Sequence, residues 1–208
     1  MPRLTARALS ELMALPGYEQ YRVLYEQKYP KRGANAFKIP YYAPALRGIR
    51  SYYASGNLEA EIQAARIGLA SLGNPARRTH NERVLENFIE SQQAARHLNP
   101  IPMSRLAVSL GETELRPSLD LLASEGTGTR RIFYNMRVGP LSKELARTTI
   151  EVAHWLLEIC GLPVPIAEIE YIDLAKGGLR YRFSLRRPAT IKRAKQTLRL
   201  VETLWPTI

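Results

Sequence analysis

The chain has 208 residues, 45% hydrophobic and 24% charged, with a formal net charge of +11. These are the proportions of a globular chain and exclude a disordered one; no apolar run approaches the roughly 20 residues that span a bilayer, so no membrane partner is expected. The excess of positive charge favours polyanions as partners.

The start, Met-Pro-Arg-Leu-Thr, has no apolar core of a secretory signal, and the single cysteine, Cys160, cannot form an internal disulfide. Both features point to the cytoplasm as the expected location.

Taken along the chain, Leu4, Leu9, Leu12 and Met13 predict a first amphipathic helix, ended by Pro16-Gly17. A second helix is expected from Tyr18 to Tyr29, stopping at Pro30-Lys31-Arg32-Gly33. From Pro40 to Tyr53, Leu46, Ile49 and Tyr53 share one side while Arg47 and Arg50 lie on another. Asn57 can cap a further helix that runs to Leu72 and closes at Gly73. The segment Gly73-Asn74-Pro75 divides a helical region, residues 1–75, from the remainder, residues 76–208.

In that remainder a helix is expected from about Thr79 to Leu98, with Val84, Leu85, Phe88 and Ile89 on one side. Period-two alternation then predicts three strands: Leu106 to Leu110, Leu115 to Leu121 and Arg130 to Val138. Leu145, Thr149, Val152, Leu156 and Ile159 mark a long helix. Two strands follow, Val164 to Leu174 and Leu179 to Leu185. If Tyr171 faces Tyr181, then Glu170 faces Arg182 on the other side, and the glycine of Ala175-Lys176-Gly177 takes a positive φ. A last helix, about Ala189 to Leu204, carries a basic run. From Lys176 onward nine cations (Lys176, Arg180, Arg182, Arg186, Arg187, Lys192, Arg193, Lys195 and Arg199) face one acid, Glu202, so this end holds +8 of the +11. That asymmetry places nucleic acid ahead of other partners. The fold class expected from this order is α/β, an α+β mixed sheet with helices on its faces.

Helix, three strands, helix, strand is also the order of the restriction-endonuclease-like, or PD-(D/E)XK, superfamily, and the chain resembles its RecB-like branch. Thr79-His80-Asn81-Glu82-Arg83-Val84-Leu85 looks like that family's histidine-bearing first helix. Leu115-Arg116-Pro117-Ser118-Leu119-Asp120-Leu121-Leu122 looks like the strand that ends in the metal-binding aspartate. Arg131-Ile132-Phe133-Tyr134-Asn135-Met136-Arg137 stands where the (D/E)-x-Lys strand belongs. The resemblance implies an αβββαβ core with an N-terminal helical extension. It also implies a cleft in which two carboxylates hold Mg²⁺ or Mn²⁺ beside a lysine.

The chain departs from that pattern at two positions. Asp120 fits, but Asn135 replaces the second carboxylate and Arg137 replaces the lysine. An amide is a poor Mg²⁺ ligand, and an arginine keeps its proton near neutrality. The expectation is a basic site that holds phosphate without cutting it. Asp120 is then either a metal ligand, with His80 as a second, or the partner of Arg116 or Arg137 in an ion pair. A relocated carboxylate, Glu82, Glu125 or Glu151, could restore cutting. Phosphate contacts are expected from Arg116, Arg137, Arg186, Arg187, Lys192, Arg193, Lys195 and Arg199. His97 has no visible partner, and His154 belongs to a packed helix. Tyr41, Tyr42, Tyr52 and Tyr53 could stack bases, though helix packing is the simpler use.

Three functions are carried forward. The first is nucleic-acid binding, DNA ahead of RNA, with no cofactor and no hydrolysis. The second is an active Mg²⁺- or Mn²⁺-dependent nuclease using Asp120. The third is a protein-interaction subunit docking through its N-terminal helices.

Overall fold

Alternate residues of the longest strand point into two separate cores. In β6 (Gly128–Asn135), Phe133 joins one buried cluster, while Ile132 and Tyr134 join the other. This is what a sheet covered on both faces requires of a strand at its centre. The structure is a computed structural model that describes residues 1–30 and 41–208.

The sheet containing β6 has five strands, in the order β2 (Asn99–Pro100), β5 (Leu121–Glu125), β6, β7 (Ile169–Asp173) and β8 (Leu179–Tyr181). β5 and β6 form an antiparallel hairpin in which Leu121 faces Ile132. β6 and β7 are parallel, with Phe133 opposite Tyr171 and Asn135 opposite Asp173. A parallel pair needs a crossover, supplied by α6 (Lys143–Ile159), whose Ser142 side chain accepts from Leu145 N. β7 and β8 are antiparallel, with Tyr171 opposite Tyr181 as the spacing predicts. Gly177 takes the expected positive φ of 58°, although the connection runs through a short 3-10 turn over Leu174–Lys176.

On one face of this sheet lie α6, α1 (Ala6–Ala14) and α7 (Pro188–Leu204); on the other lie α3 (Ala43–Ala54), α4 (Glu59–Leu69) and α5 (Pro75–Ile89). Residues 1–75 thus contribute to both cores. Helix α2 (Gly17–Lys28) packs Leu24 into the first core, and its Lys28 ammonium donates to the carbonyls of Trp205 and Ile208, 2.6 Å each. The expected stop at Lys31-Gly33 and the expected start at Pro40 lie outside the described residues.

A second sheet corrects the strand reading. β3 (Val108–Leu110) and β4 (Thr113–Arg116) form a hairpin that pairs in parallel with β1 (Arg3–Thr5), apart from the main sheet. The expected continuous strand from Leu115 to Leu121 is therefore two strands in two sheets. Pro117 has no amide hydrogen to donate, and Ser118 takes a left-handed φ of 49°. The chain bends there, and Asp120 stands at the entry to β5 rather than at the end of a strand.

Of the three consecutive strands expected, the first, Leu106 to Leu110, falls in the second sheet as β3, while β5 and β6 lie in the five-stranded sheet, which β2 extends at its edge. Helix α5 is also displaced from its expected span. Asn74 caps it by accepting from Arg77 N at 3.0 Å, and Pro75 occupies its first turn. Gly73-Asn74-Pro75 is thus a helix start.

Helices α3 and α4 approach closely at Gly48, where an added Cβ would lie 2.7 Å from the Ala65 Cβ. Gly48→Ala is expected to lower stability by about 1–3 kcal/mol through overpacking, outweighing a gain in helix propensity of about 1 kcal/mol. A urea midpoint equal to or above that of the parent chain would contradict this.

Candidate functional site

Asp120 lies where the β5 entry meets the end of β6. Its amide donates to Ile132 O at 2.9 Å, continuing the hairpin ladder, and its Oδ2 accepts from Tyr134 N at 2.7 Å. The same Oδ2 accepts from Arg7 Nη2 at 2.6 Å. Arg7 comes from the first turn of α1 and also donates to Tyr134 O at 3.3 Å. Its guanidinium lies 5.6 Å from the Phe133 ring centroid and 5.5 Å from that of Tyr171. A cation over two aromatic faces, ion-paired at its tip, is held by electrostatics on three sides.

Asp120 is therefore in an ion pair, but neither Arg116 nor Arg137 is its partner. Arg116 pairs with Glu114 at 2.5 Å, and Arg137 pairs with Glu11 at 2.7 Å. The intervening bend and the strand end point both side chains elsewhere. No sequence signal within the strand indicated Arg7, which is 113 residues away.

Further arginines converge on the same strand ends. Arg50 of α3 donates through Nε to Asp120 O at 2.9 Å and through Nη2 to the same oxygen. Arg83 of α5 donates to Met136 O at 3.3 Å. The surroundings of Asp120 are thus rich in guanidinium, and among the described residues the Asn135 side chain binds neither Asp120 nor a side-chain cation. Its Nδ2 donates to Asp173 Oδ1 at 2.8 Å and to Gly139 O at 2.9 Å. Asp173, fully buried, accepts from Leu141 N through its other oxygen at 2.7 Å. Both oxygens thereby fasten the turn that leads into α6. Asp173 is the carboxylate that stands beside Asn135, and it escaped the sequence reading because it closes an apolar strand.

Two of the candidate replacement carboxylates, Glu125 and Glu151, lie elsewhere. Glu125 is at the far end of β5, about 17 Å along a strand from Asp120, and pairs with Arg96 at 2.7 Å and Arg130 at 2.8 Å. Glu151, fully buried in α6, pairs with Arg147 and Arg187 at 3.0 Å each and binds the Thr190 hydroxyl. The His80 Nδ1 lies 2.9 Å from the Tyr41 hydroxyl. Among the described residues no group of three or more His, Cys, Asp or Glu side chains is placed to hold a metal ion. Asp120 is committed to a guanidinium and Asp173 to the Asn135 amide and the Leu141 amide, and this set with its several arginines does not fit Mg²⁺, which takes hard oxygen ligands.

The C-terminal cations divide into two groups. Arg186 donates to His154 Nδ1 at 3.0 Å and pairs with Glu158 at 2.6 Å; Arg187 pairs with Glu144 at 2.9 Å as well as with Glu151. Arg193 donates to Met13 O at 3.0 Å. Lys192, Lys195 and Arg199 are exposed, share one face of α7, and their side chains have no ion pair or hydrogen bond among the described residues. His154, whose Nε2 lies 3.0 Å from Val164 O, is held below its ordinary pKa by burial and by Arg186, which suits a neutral ring in a packed helix. Tyr52 and Tyr53 are buried edge-on against Phe88, a packing role.

No family model, no curated protein and no solved structure matches the chain.

Replacing Arg7 by Met is expected to destabilise the chain by about 2 kcal/mol, because it leaves the Asp120 carboxylate without its cation. Adding Asp120→Asn should recover a large part of that loss. A double variant that loses the sum of the two single effects in urea unfolding would refute the pairing.

The Arg96 hydrogen bond draws the Glu125 carboxyl down to about 2, below its ordinary value of 4.5. A depressed carboxylate stabilises the fold above its unfolded pKa, and that contribution disappears as pH falls from about 4.5 toward 2. Glu125→Gln should therefore flatten the loss of stability across this window by about 2–3 kcal/mol. Urea midpoints measured against pH test it.

Proposed function

We propose that the chain binds nucleic acid through its phosphates and does not hydrolyse it. The observation that carries this reading is the row of Lys192, Lys195 and Arg199 on α7, three exposed cations in one line without described partners. Cations already neutralised within the fold have little attraction left for a polyanion, whereas these retain theirs. The closure of Asp120 by Arg7, with Arg50 against its backbone, supports the absence of hydrolysis. Arginine presents fixed donors to phosphate oxygens but cannot take a proton from water near neutrality. We propose the restriction-endonuclease-like relationship on the same footing, supported by the order of α5, β2, β5, β6, α6 and β7.

No helix among the described residues is long and apolar enough to cross a membrane. A second reading, docking of a protein partner, is favoured by α2, where Tyr18, Tyr21, Tyr25 and Tyr29 are all exposed along its length. Tyr21 and Tyr25 stack at 6.5 Å, and Tyr25 meets Tyr29 at 5.1 Å.

Binding to DNA or RNA should weaken linearly on a log–log salt plot. Changing Lys192, Lys195 and Arg199 together to Gln should reduce the slope by about 2–3. An unchanged slope would sink the assignment to α7. Degradation of a substrate with Mg²⁺ or Mn²⁺ that disappears in Asp120→Ala would replace this reading with an active nuclease.

A further inference from the structure

We propose that the cavity between the α5–β2 turn and the β7–β8 connection is a pocket for a phosphate monoester, borne by a nucleic-acid strand end or by a mononucleotide. The cavity has a volume of about 540 Å³, and Gln92, Arg96, Lys176 and Arg180 are among its walls, with no carboxylate lining it. A volume of this size suits a small organic ligand rather than a lone ion.

The walls are fixed. Arg96 donates through Nε to Glu125 at 2.7 Å, and through Nη1 to Glu170 at 2.8 Å and Gln93 Oε1 at 3.0 Å. Its side chain is only 10% exposed, and its Nη2 is buried without an acceptor. Gln93 also donates to Gly178 O at 2.7 Å, tying the two walls together. Gly177 and Gly178 have φ of 58° and 75°, and a Cβ on Gly178 would come within 2.6 Å of the Ser91 Cβ. Only glycine lets the chain pass there.

The charge is unbalanced in favour of an anion. Glu170, fully buried, is approached by Arg96, Arg130, Arg180 and Arg182 at 2.8, 3.4, 3.9 and 3.6 Å. Glu125 is shared by two of these same arginines. Lys176, exposed at the rim, has no described partner, and Arg180 reaches Glu170 only at the limit of an ion pair. Lys176, the loosely held Arg180 and the Gln92 amide, backed by an excess of arginines over the two carboxylates behind them, offer more than the two free oxygens and single charge of a backbone diester can use. A monoester has three free oxygens and carries nearly two charges at pH 7.

This inference deepens the nucleic-acid reading when the occupant is a strand end, and is independent of it when the occupant is a nucleotide. The experiment uses the full chain and calorimetry with a nucleoside, its 5′- and 3′-monophosphates, and an oligonucleotide bearing or lacking a terminal phosphate. At least one monoester should bind roughly tenfold or more tightly than its phosphate-free counterpart. Lys176→Gln with Arg180→Gln, both at exposed positions, should erase that preference while leaving the thermal midpoint in place. A preference seen on oligonucleotides identifies a strand end, and one confined to mononucleotides identifies a small ligand; either supports the pocket. Equal affinity with and without the phosphate overturns it, as does a preference that survives the double variant. Salt-sensitive nucleic-acid binding that persists without any monoester preference overturns the pocket alone. Monoester binding without affinity for nucleic-acid chains overturns the binding function alone.

Discussion

Arg7 connects the first helix to the centre of the main sheet. One guanidinium meets the Asp120 carboxylate, the carbonyl of Tyr134 and the rings of Phe133 and Tyr171, so it contacts the β5 entry, β6 and β7 together. A cation so placed must be compensated from several directions, because removal from water is costly for any charge. The aromatic faces and the carboxylate supply that compensation. In turn they set the position of α1 against the sheet, and α1 supports α6 and α7 through Leu9, Leu12 and Met13.

The same logic recurs at the other buried carboxylates. Glu151 anchors the start of α7 through the Arg187 backbone and side chain and the Thr190 hydroxyl. Glu170 gathers arginines from the α5–β2 turn, β6 and the β8 end, while Asp173 fastens the turn before α6. Much of the chain's basic character is therefore structural, since arginine is the cation that forks across a carboxylate with fixed geometry. The formal charge overstates what is offered to a partner. Among the described residues, the outward cations without an ion pair include the α7 row and Lys176, together with the more scattered Arg22, Arg47, Arg105 and Lys143.

Local features were legible in the sequence. The β7–β8 pairing, the positive φ of Gly177, the Glu170–Arg182 contact at 3.6 Å and the course of α6 all follow from spacings within about twenty residues. The assignment of strands to sheets was not legible. Alternation of Leu115, Pro117, Leu119 and Leu121 looks continuous, yet the left-handed Ser118 sends its two halves to different sheets. Pro117 was the available signal, because a proline inside an alternating run argues against an unbroken strand. For the site, Asp120 was identifiable from its apolar surroundings. Its partner was not, since an ion pair over 113 residues leaves no local pattern. Arg96 and Asp173 were hidden for the same reason.

The parallel pairing of Arg3–Thr5 with Glu114–Arg116 has a consequence for how the molecule is made. On a ribosome the leading segment emerges more than a hundred residues before the strand it must join. At typical elongation rates that interval is on the order of ten seconds. During it Leu4 and Leu9 have neither the small sheet nor α6 to cover them. The helical layer of α3, α4 and α5 depends less on distant partners and can consolidate sooner. Translation speed and chaperone access thus bear most heavily on the first strand and helix, the same elements that deliver Arg7.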